Sequence, residues 1–511
     1  MADDVKNVNK WLITVSLMTG TLMSAIDTSI VDVALPYIQG AVAASTTEIT
    51  WVIASYMLAN VIVMPVVTLI SKRFGRKNFY QFSVVLFTIA SIGCGLSNTL
   101  LELTIWRIFQ GFGGGAIIPL SQAILRETFP PKEHGKAMGI FGLGVITGPA
   151  LGPLLGGWLI DSYSWHWIFF INLPIGIINT ILVSKFIFDP PYFKREKVKI
   201  DYFGLLFLSI GLGALQIMLQ KGSDENWFES AFIKRLCFIA VVGLILFIIQ
   251  EFKTKEPAVN LRILKNVNLS VGTFLGGVLG MGLFSSIFVL PMFLQTQLDY
   301  PAWNSGLAIM PRAAAMVFTM PVAGRLYNRF GTKLIFVGTI ISIISFLQFS
   351  LLNLYIDYWT IFIPQFLQGI GFGLIFVPVS TVSLLTISKD KMTDATGIYN
   401  LIRRLSGSVG TAIASTGISS AGMNHFRQII VHNVNPYSFR YDNYLELVEQ
   451  NLHADGSPAY LAYGKQAYKV LENTLNSQAY MLAYNRVYAG IALLFILSIP
   501  LLFLFRKNKI E

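Results

Sequence analysis

Apolar stretches of about twenty residues, separated by short polar connectors, recur from one end of the chain to the other. Each is long enough to cross roughly 30 Å of hydrocarbon as a helix. Fourteen such spans are read near 11–34, 49–70, 78–97, 101–124, 136–160, 166–188, 201–220, 232–252, 268–294, 304–326, 333–353, 359–386, 396–420 and 485–505. The pattern predicts an all-α integral membrane protein. The first span carries Asp27 and Asp32 and lacks a small-residue cleavage site, so it reads as retained and not as a signal peptide. One connector breaks the rhythm. Residues 421–483 are long and mostly polar, with seven tyrosines. Within them, 441–452 and 459–475 have the spacing of amphipathic helices, which suggests an ordered docking element.

Composition removes the soluble alternative. Of 511 residues, 54% are hydrophobic and 13% charged, with mean hydropathy +0.61; a soluble domain carries about 25% charged residues. Cys94 and Cys237 both fall inside spans, so no disulfide framework is implied. The net charge of +11 does not point to nucleic acid, because the basic residues sit in alternate connectors. One face holds Lys72, Arg73, Arg76 and Lys77, then Arg126, Lys132 and Lys136, then Lys194, Arg195, Lys197 and Lys199. The other holds little beyond Lys221, Lys234 and Arg235. The positive-inside rule then puts both termini in the cytoplasm.

The chain also repeats itself. The segment "QGFGGG" at 110–115 returns as "QGIGFG" at 368–373, and "KRFGRK" at 72–77 returns as "NRFGTK" at 328–333. The offsets of 258 and 256 residues fit one duplication. They imply six-helix halves at 1–193 and 267–511 and a two-helix insert at 194–266. Parallel six-helix halves are the build of a secondary transporter with its site at their interface.

Several segments carry a family resemblance, in order along nearly the whole chain. These are "AIDTSIVDVALP" (25–36), "TWVIASYMLA" (50–59), "WRIFQGFGGGAIIPLSQA" (106–123), "GPALGPLLGG" (148–157) and "WHWIFFINLPIG" (165–176). The sequence resembles the fourteen-helix drug:proton antiporters of the major facilitator superfamily, of EmrB/QacA type. The resemblance implies proton-coupled export of amphipathic or apolar toxic compounds across a bacterial inner membrane by alternating access. It also implies a periplasmic adaptor (an EmrA-like membrane fusion protein) and an outer-membrane channel as partners, beside small-molecule drugs and lipid. The family's loop after span two is matched at Arg73, Gly75, Arg76 and Lys77, and in the second half at Arg329 and Gly331. It departs at the acid position, where Lys72 and Asn328 stand, so the latch assigned to that acid is in doubt.

Ionisable groups inside spans are functional candidates, because a charge at the bilayer centre costs at least about 2.5–3.5 kcal/mol. Asp27 and Arg107 each lie about six residues from the outer end of oppositely directed spans, roughly 9 Å deep. In the resembled fold both spans line the central cavity. Asp27 is expected to carry the coupling proton and Arg107 to bias its affinity; Asp32, five residues on and nearer the interface, is a weaker candidate at the cavity mouth. Shifting Arg107 by the repeat offset gives Gln365, so proton coupling belongs to the N-terminal half. In the other half Arg312, Asn400 and Arg403 are candidates for contacts between halves or gating, with a backbone carbonyl of span five as a partner for Arg312. Arg404 reads as a snorkelling side chain. Tyr56, Met57, Gln110, Phe284, Phe288 and Phe376 are candidates for the cavity wall, where aromatic and methionine side chains would suit apolar or cationic drugs.

No G-x-x-x-x-G-K-[ST] phosphate loop is present. The five histidines fall in connectors or at interfaces, so no enzyme site, metal site or cofactor is expected apart from the proton as coupling ion. Two other functions remain open: export of one metabolite, such as a siderophore or fatty acid, and a non-transporting scaffold that recruits a partner through 421–483. The helix-breaking run at 144–157 has five glycines and two prolines. Gly144, Gly148, Gly152 and Gly156 form a ridge of three G-x-x-x-G steps, the kind that lets helices approach closely. With Pro149, Pro153 and Gly157, it reads as a low-profile seam against the opposite half, near Arg312.

Overall fold

A computed structural model of the chain describes residues 9–189, 201–254, 257–433, 441, 443, 445–448 and 463–505. Among these residues every regular element is helical. In chain order they are α1 (Lys10–Ala41), α2 (Thr46–Ile49), α3 (Trp51–Phe74), α4 (Arg76–Leu96), α5 (Leu100–Thr128) and α6 (His134–Ser162). Then follow α7 (Trp167–Phe170), α8 (Asn172–Phe186), α9 (Tyr202–Lys221), α10 (Ala231–Lys253), α11 (Val267–Gln297) and α12 (Ala302–Phe330). The last are α13 (Lys333–Phe349), α14 (Tyr358–Ser383), α15 (Met392–Ile418), α16 (Ser420–Asn433) and α17 (Tyr463–Ser498).

Polar connector residues start these helices by taking up their free N–H groups. Thr99 accepts from Glu102 N at 3.2 Å, Asp201 from Gly204 N at 2.9 Å, Asn266 from Leu269 N at 3.1 Å and Asp357 from Thr360 N at 2.9 Å. Ser45 and Glu48 close a reciprocal capping box on α2. The two repeated loops share one backbone feature: Gly75 sits at φ +92° and Gly331 at φ +56°, where a side chain would be strained. The duplication read in the sequence thus falls on the same sharp turn twice.

Twelve described helices are long and apolar enough to cross a membrane. The 17-residue α13 is shorter than the rest, and α15, with Asp394, Arg403 and Arg404, is long enough but not apolar enough. Both pack against other long helices, α13 on α14 and α15 on α11. Helix pairings recur along the chain. In the first part α1 packs on α6, α5 on α3 and α4, and α8 on α4 and α1. In the second, α11 packs on α15, α14 on α12 and α13, and α17 on α13 and α11. The two sets meet through α6 against α12 and α3 against α15, and the α9–α10 pair lies against α3 and α15.

The two sets touch at the end that carries the basic connectors. There Gly135 of α6 and Gly324 of α12 meet backbone to backbone; a Cβ on Gly135 would come 2.6 Å from Gly324 O. Asn328 donates to Lys132 O at 2.8 Å, and Lys72 lies 3.9 Å from Asp394. The two helix sets are thus joined at the basic end.

Some boundaries differ from the sequence reading. The sixth span is α7 and α8 in succession, and the last is a single 36-residue helix beginning at Tyr463. That length, about 54 Å, exceeds a bilayer core by several turns. Its extra turns pack against α16, joined by Arg427 and Glu472 at 2.9 Å. Polarity ended the span in the sequence reading, whereas helix pairing outside the apolar zone extends it. Half of the segment at 441–452 lies outside the described residues, as does the start of that at 459–475.

Candidate functional site

Asp27 and Arg107 are both buried and pair at 2.7 Å. The glycines around Arg107 make that approach possible. A Cβ at Gly111 would lie 2.5 Å from Tyr56 O, and one at Gly113 2.7 Å from Ser83 O, so α5 can settle directly onto α3 and α4. Arg107 also donates to Val52 O at 3.1 Å and to Gln110 Oε1 at 2.6 Å, and its guanidinium lies 4.1 Å from the ring centre of Tyr56. Asp27 accepts from Gln110 Nε2 at 2.8 Å and from Asn172 Nδ2 at 3.1 Å. Ser91 accepts from both of these amides, at 2.6 and 3.1 Å. Five helices therefore converge on one carboxylate, each partner satisfying another, as a buried charge requires.

Gln110 and Tyr56, expected in the cavity wall, belong instead to this cluster. Asn172 and Ser91 were not singled out from the sequence; neutral partners in a helix leave no charge or spacing signal. Asp32 is exposed on α1 and stands apart from the cluster, about 7.5 Å further along the helix axis.

Beside the cluster lies a small, partly open cavity shared by both helix sets. Ala25 and Thr28 of α1, Met64 of α3, Ile118 of α5, and Val145 and Pro149 of α6 form one wall. Phe284 of α11 and Asn400, Arg403 and Arg404 of α15 form the other. Of the expected wall residues, Phe284 lines it. Met57 lies next to it, its sulfur 2.8 Å from Arg404 Nη2. Phe376 is buried behind Arg403, stacked with Phe141, and Phe288 is exposed on α11. Arg404 does not snorkel; it is buried toward the cavity, because the outward face of α15 is already packed. Asn400 joins the two sets by donating to Gln122 Oε1 at 2.5 Å.

Arg312 differs from expectation. Its partners are Ser286 Oγ and Gln368 Oε1, both at 2.9 Å and both in its own helix set, not a carbonyl of α6. The glycine ridge differs too. Gly144, Gly148, Gly152 and Gly156 face Met18, Ala25, Ser29 and Ile30 of α1, in the same set. A second glycine row on α6, Gly135, Gly139 and Gly142, is the one that meets Gly324, Met320 and Phe376 across the interface. A four-residue repeat announces a close neighbour but does not say which, and α6 has one on each side. Pro149 lines the cavity; Pro153 is half-buried and Gly157 has nothing within 4 Å of a Cβ.

At the basic end Arg76 grips both oxygens of Glu127 at 2.6 Å and donates to Lys389 O at 3.3 Å. Lys77 donates to Asp189 through its backbone at 2.9 Å and to Ser184 O at 2.8 Å. Arg73 and Arg329 lie over the neighbouring Phe74 and Phe330 rings, at 5.7 and 5.4 Å. The acid missing at position 72 has a counterpart across the interface: Lys72 faces Asp394 in the first turn of α15. Lys72 and Asp394 bring opposite charges together across the interface. A hydrogen bond from Ser388 holds the nearby Asp390 below the usual carboxylate range, aided by Lys391 and Lys72.

The fold, with its twice-built helix set around a shared cavity, and the motifs on α1, α5 and α6 are those of a membrane transporter. The chain belongs to the major facilitator superfamily, whose family model matches residues 17–411. It is 34% identical over 501 residues to the fatty acid resistance protein FarB of Neisseria gonorrhoeae, covering 96% of this chain and 95% of that one. It is 32% identical over 483 residues to the multidrug export protein EmrB of Haemophilus influenzae, covering 93% and 92%. Among solved structures it is similar to the human organic anion transporter MFSD10, with TM-score 0.61 and 10% identity over 98% of this chain and 100% of that one. It is similar also to the proton:xylose symporter XylE, with TM-score 0.56 and 14% identity over 95% and 94%. At those identities the likeness is one of fold.

Proposed function

We propose that this chain exports amphipathic or apolar toxic compounds across the inner membrane in exchange for protons. The observation that carries the reading is a buried aspartate–arginine pair beside a cavity shared by two helix sets. Residues 1–193 and 267–511 are the two six-helix halves and 194–266 the insert, a division that the recurring pairings support. Counting α13 and α15 as spans gives fourteen, with the basic end and both termini cytoplasmic.

Asp27 is the proton carrier. Protonation removes its charge, while Arg107 keeps Val52 O and Gln110 as partners, so the pair parts without stranding a bare guanidinium. Asp32, exposed on α1 toward the end opposite the basic connectors, exchanges protons with the outside. Phe284 and Met57 contribute to the substrate path, and Asn400 and Arg403 support the movement of the halves. The outer pair α16 and α17 docks an EmrA-like adaptor that leads to an outer-membrane channel. The chain carries out no covalent chemistry.

The test is a proteoliposome assay with an imposed proton gradient. Gradient-driven movement of several unrelated lipophilic dyes is the expected result. Movement of a single metabolite would narrow the reading to a dedicated exporter, and no movement of any compound would overturn it in favour of a scaffold.

A further inference from the structure

The central cavity has two positive charges in its wall, Arg403 and Arg404, and no acidic side chain lines it. Burying a cation without a counter-charge is costly, and here the hydrogen bonding is incomplete as well. Arg403 Nη1 and Arg404 Nε are buried and have no partner. Arg404 Nη2 meets the thioether of Met57, a weak acceptor. Asp27 is within electrostatic range of Arg404. Its oxygens, however, already serve Arg107, Gln110 and Asn172.

Three aromatic groups near the cavity already carry a guanidinium. Arg107 covers Tyr56, and Arg403 lies over Phe376 at 5.3 Å and Tyr399 at 6.0 Å. A guanidinium stacked on rings keeps its in-plane N–H edge available for a planar anion such as a carboxylate. A lipophilic cation would meet two like charges in the wall. Facing the arginines are Met64, Ile118 and Val145, an apolar wall, with the Phe284 ring on the arginines' own side.

We infer that the cavity selects amphipathic organic anions, holding a carboxylate-type head group on Arg403 and Arg404 and the apolar body along the facing wall. The inference deepens the export reading and rests on it for its physiological sense. Arg403 and Arg404 are then the residues that set substrate charge. Release follows when the cavity opens to water and the head group regains its hydration.

The test uses the full chain in lipid nanodiscs, titrated with a dansyl-labelled undecanoate, its methyl ester and the corresponding undecylamine. The three probes share a body and differ in head-group charge. The carboxylate is expected to bind at least about tenfold more tightly than the ester, and the amine most weakly. Arg403→Gln and Arg404→Gln should each lower carboxylate binding by about tenfold, leave ester binding unchanged, and be partly rescued by lysine. Equal binding of the three heads, or preference for the amine, overturns the inference. Should a glutamine variant fail to fold, the head-group series on the unaltered protein still decides. Gradient-driven transport of all three probes at equal rates would overturn the selectivity and leave export standing. Selective binding with no gradient-driven transport of any probe would do the reverse.

Discussion

Gln110 and Gln368, 258 residues apart, each hold an arginine in the core of their helix set, and one of those arginines faces an acid. Arg107 has Asp27 at 2.7 Å, whereas Arg312 has Ser286 and Gln368. The duplicated frame is chemically lopsided. Asp27→Asn, which keeps the side chain's shape, should abolish gradient-driven export while the protein still reaches the membrane. Arg107→Ala strands a buried carboxylate and should cost about 3–5 kcal/mol of stability. Thermal unfolding beside transport separates the two effects; undiminished drug resistance in Asp27→Asn would remove Asp27 from the coupling.

The corresponding substitution in the second set should behave differently. Arg312→Met fills similar volume without a charge, so stability should change by less than about 2 kcal/mol in either direction. The pH dependence of transport should stay where it is, since no acid partners Arg312. A shifted pH profile would show that proton coupling reaches into both sets.

Lys72 and Asp394 bring opposite charges together across the basic end. Lys72→Asp places two acids face to face and should open that end, lowering transport several-fold. Adding Asp394→Lys should restore much of it. The readout is thiol labelling of Asn400→Cys from the basic side, which should rise in the single variant and fall again in the double. Equal labelling in all three would make the contact incidental.

The two glycine rows of α6 separate stability from movement. A Cβ on Gly152 collides with Ser29 and comes 2.9 Å from Ile30 N, so Gly152→Ala should destabilise by about 1–3 kcal/mol. Gly157→Ala meets nothing and should be neutral. Gly135→Ala pushes against Gly324 across the interface. It should slow transport more than it lowers the unfolding temperature.

Much of this was legible beforehand. Apolar length located the spans because lipid demands it, and the repeat located the two sharp turns at Gly75 and Gly331. Equal depth on antiparallel spans, together with the family resemblance that sets both spans around one cavity, brought Asp27 to Arg107. What failed were questions of azimuth. A helix shows that it has a glycine face, but whether that face meets α1 or α12 depends on its rotation within the bundle. Arg404 failed for the same reason, since depth suggested snorkelling and rotation turned it inward. Ser91 and Asn172 carry no signature until the acid they serve has been placed.

The α9–α10 pair makes the two flanks of the molecule unequal. Gln216 bonds Ser408 at 3.0 Å, Trp227 bonds Thr416 at 2.7 Å, and Lys221 reaches Thr50, so one flank is panelled over the α3–α15 contact. The α6–α12 flank has no such panel among the described residues. Any sliding of the two helix sets against each other is therefore buttressed on one flank and left to the bare α6–α12 contact, with Gly135 on Gly324, on the other.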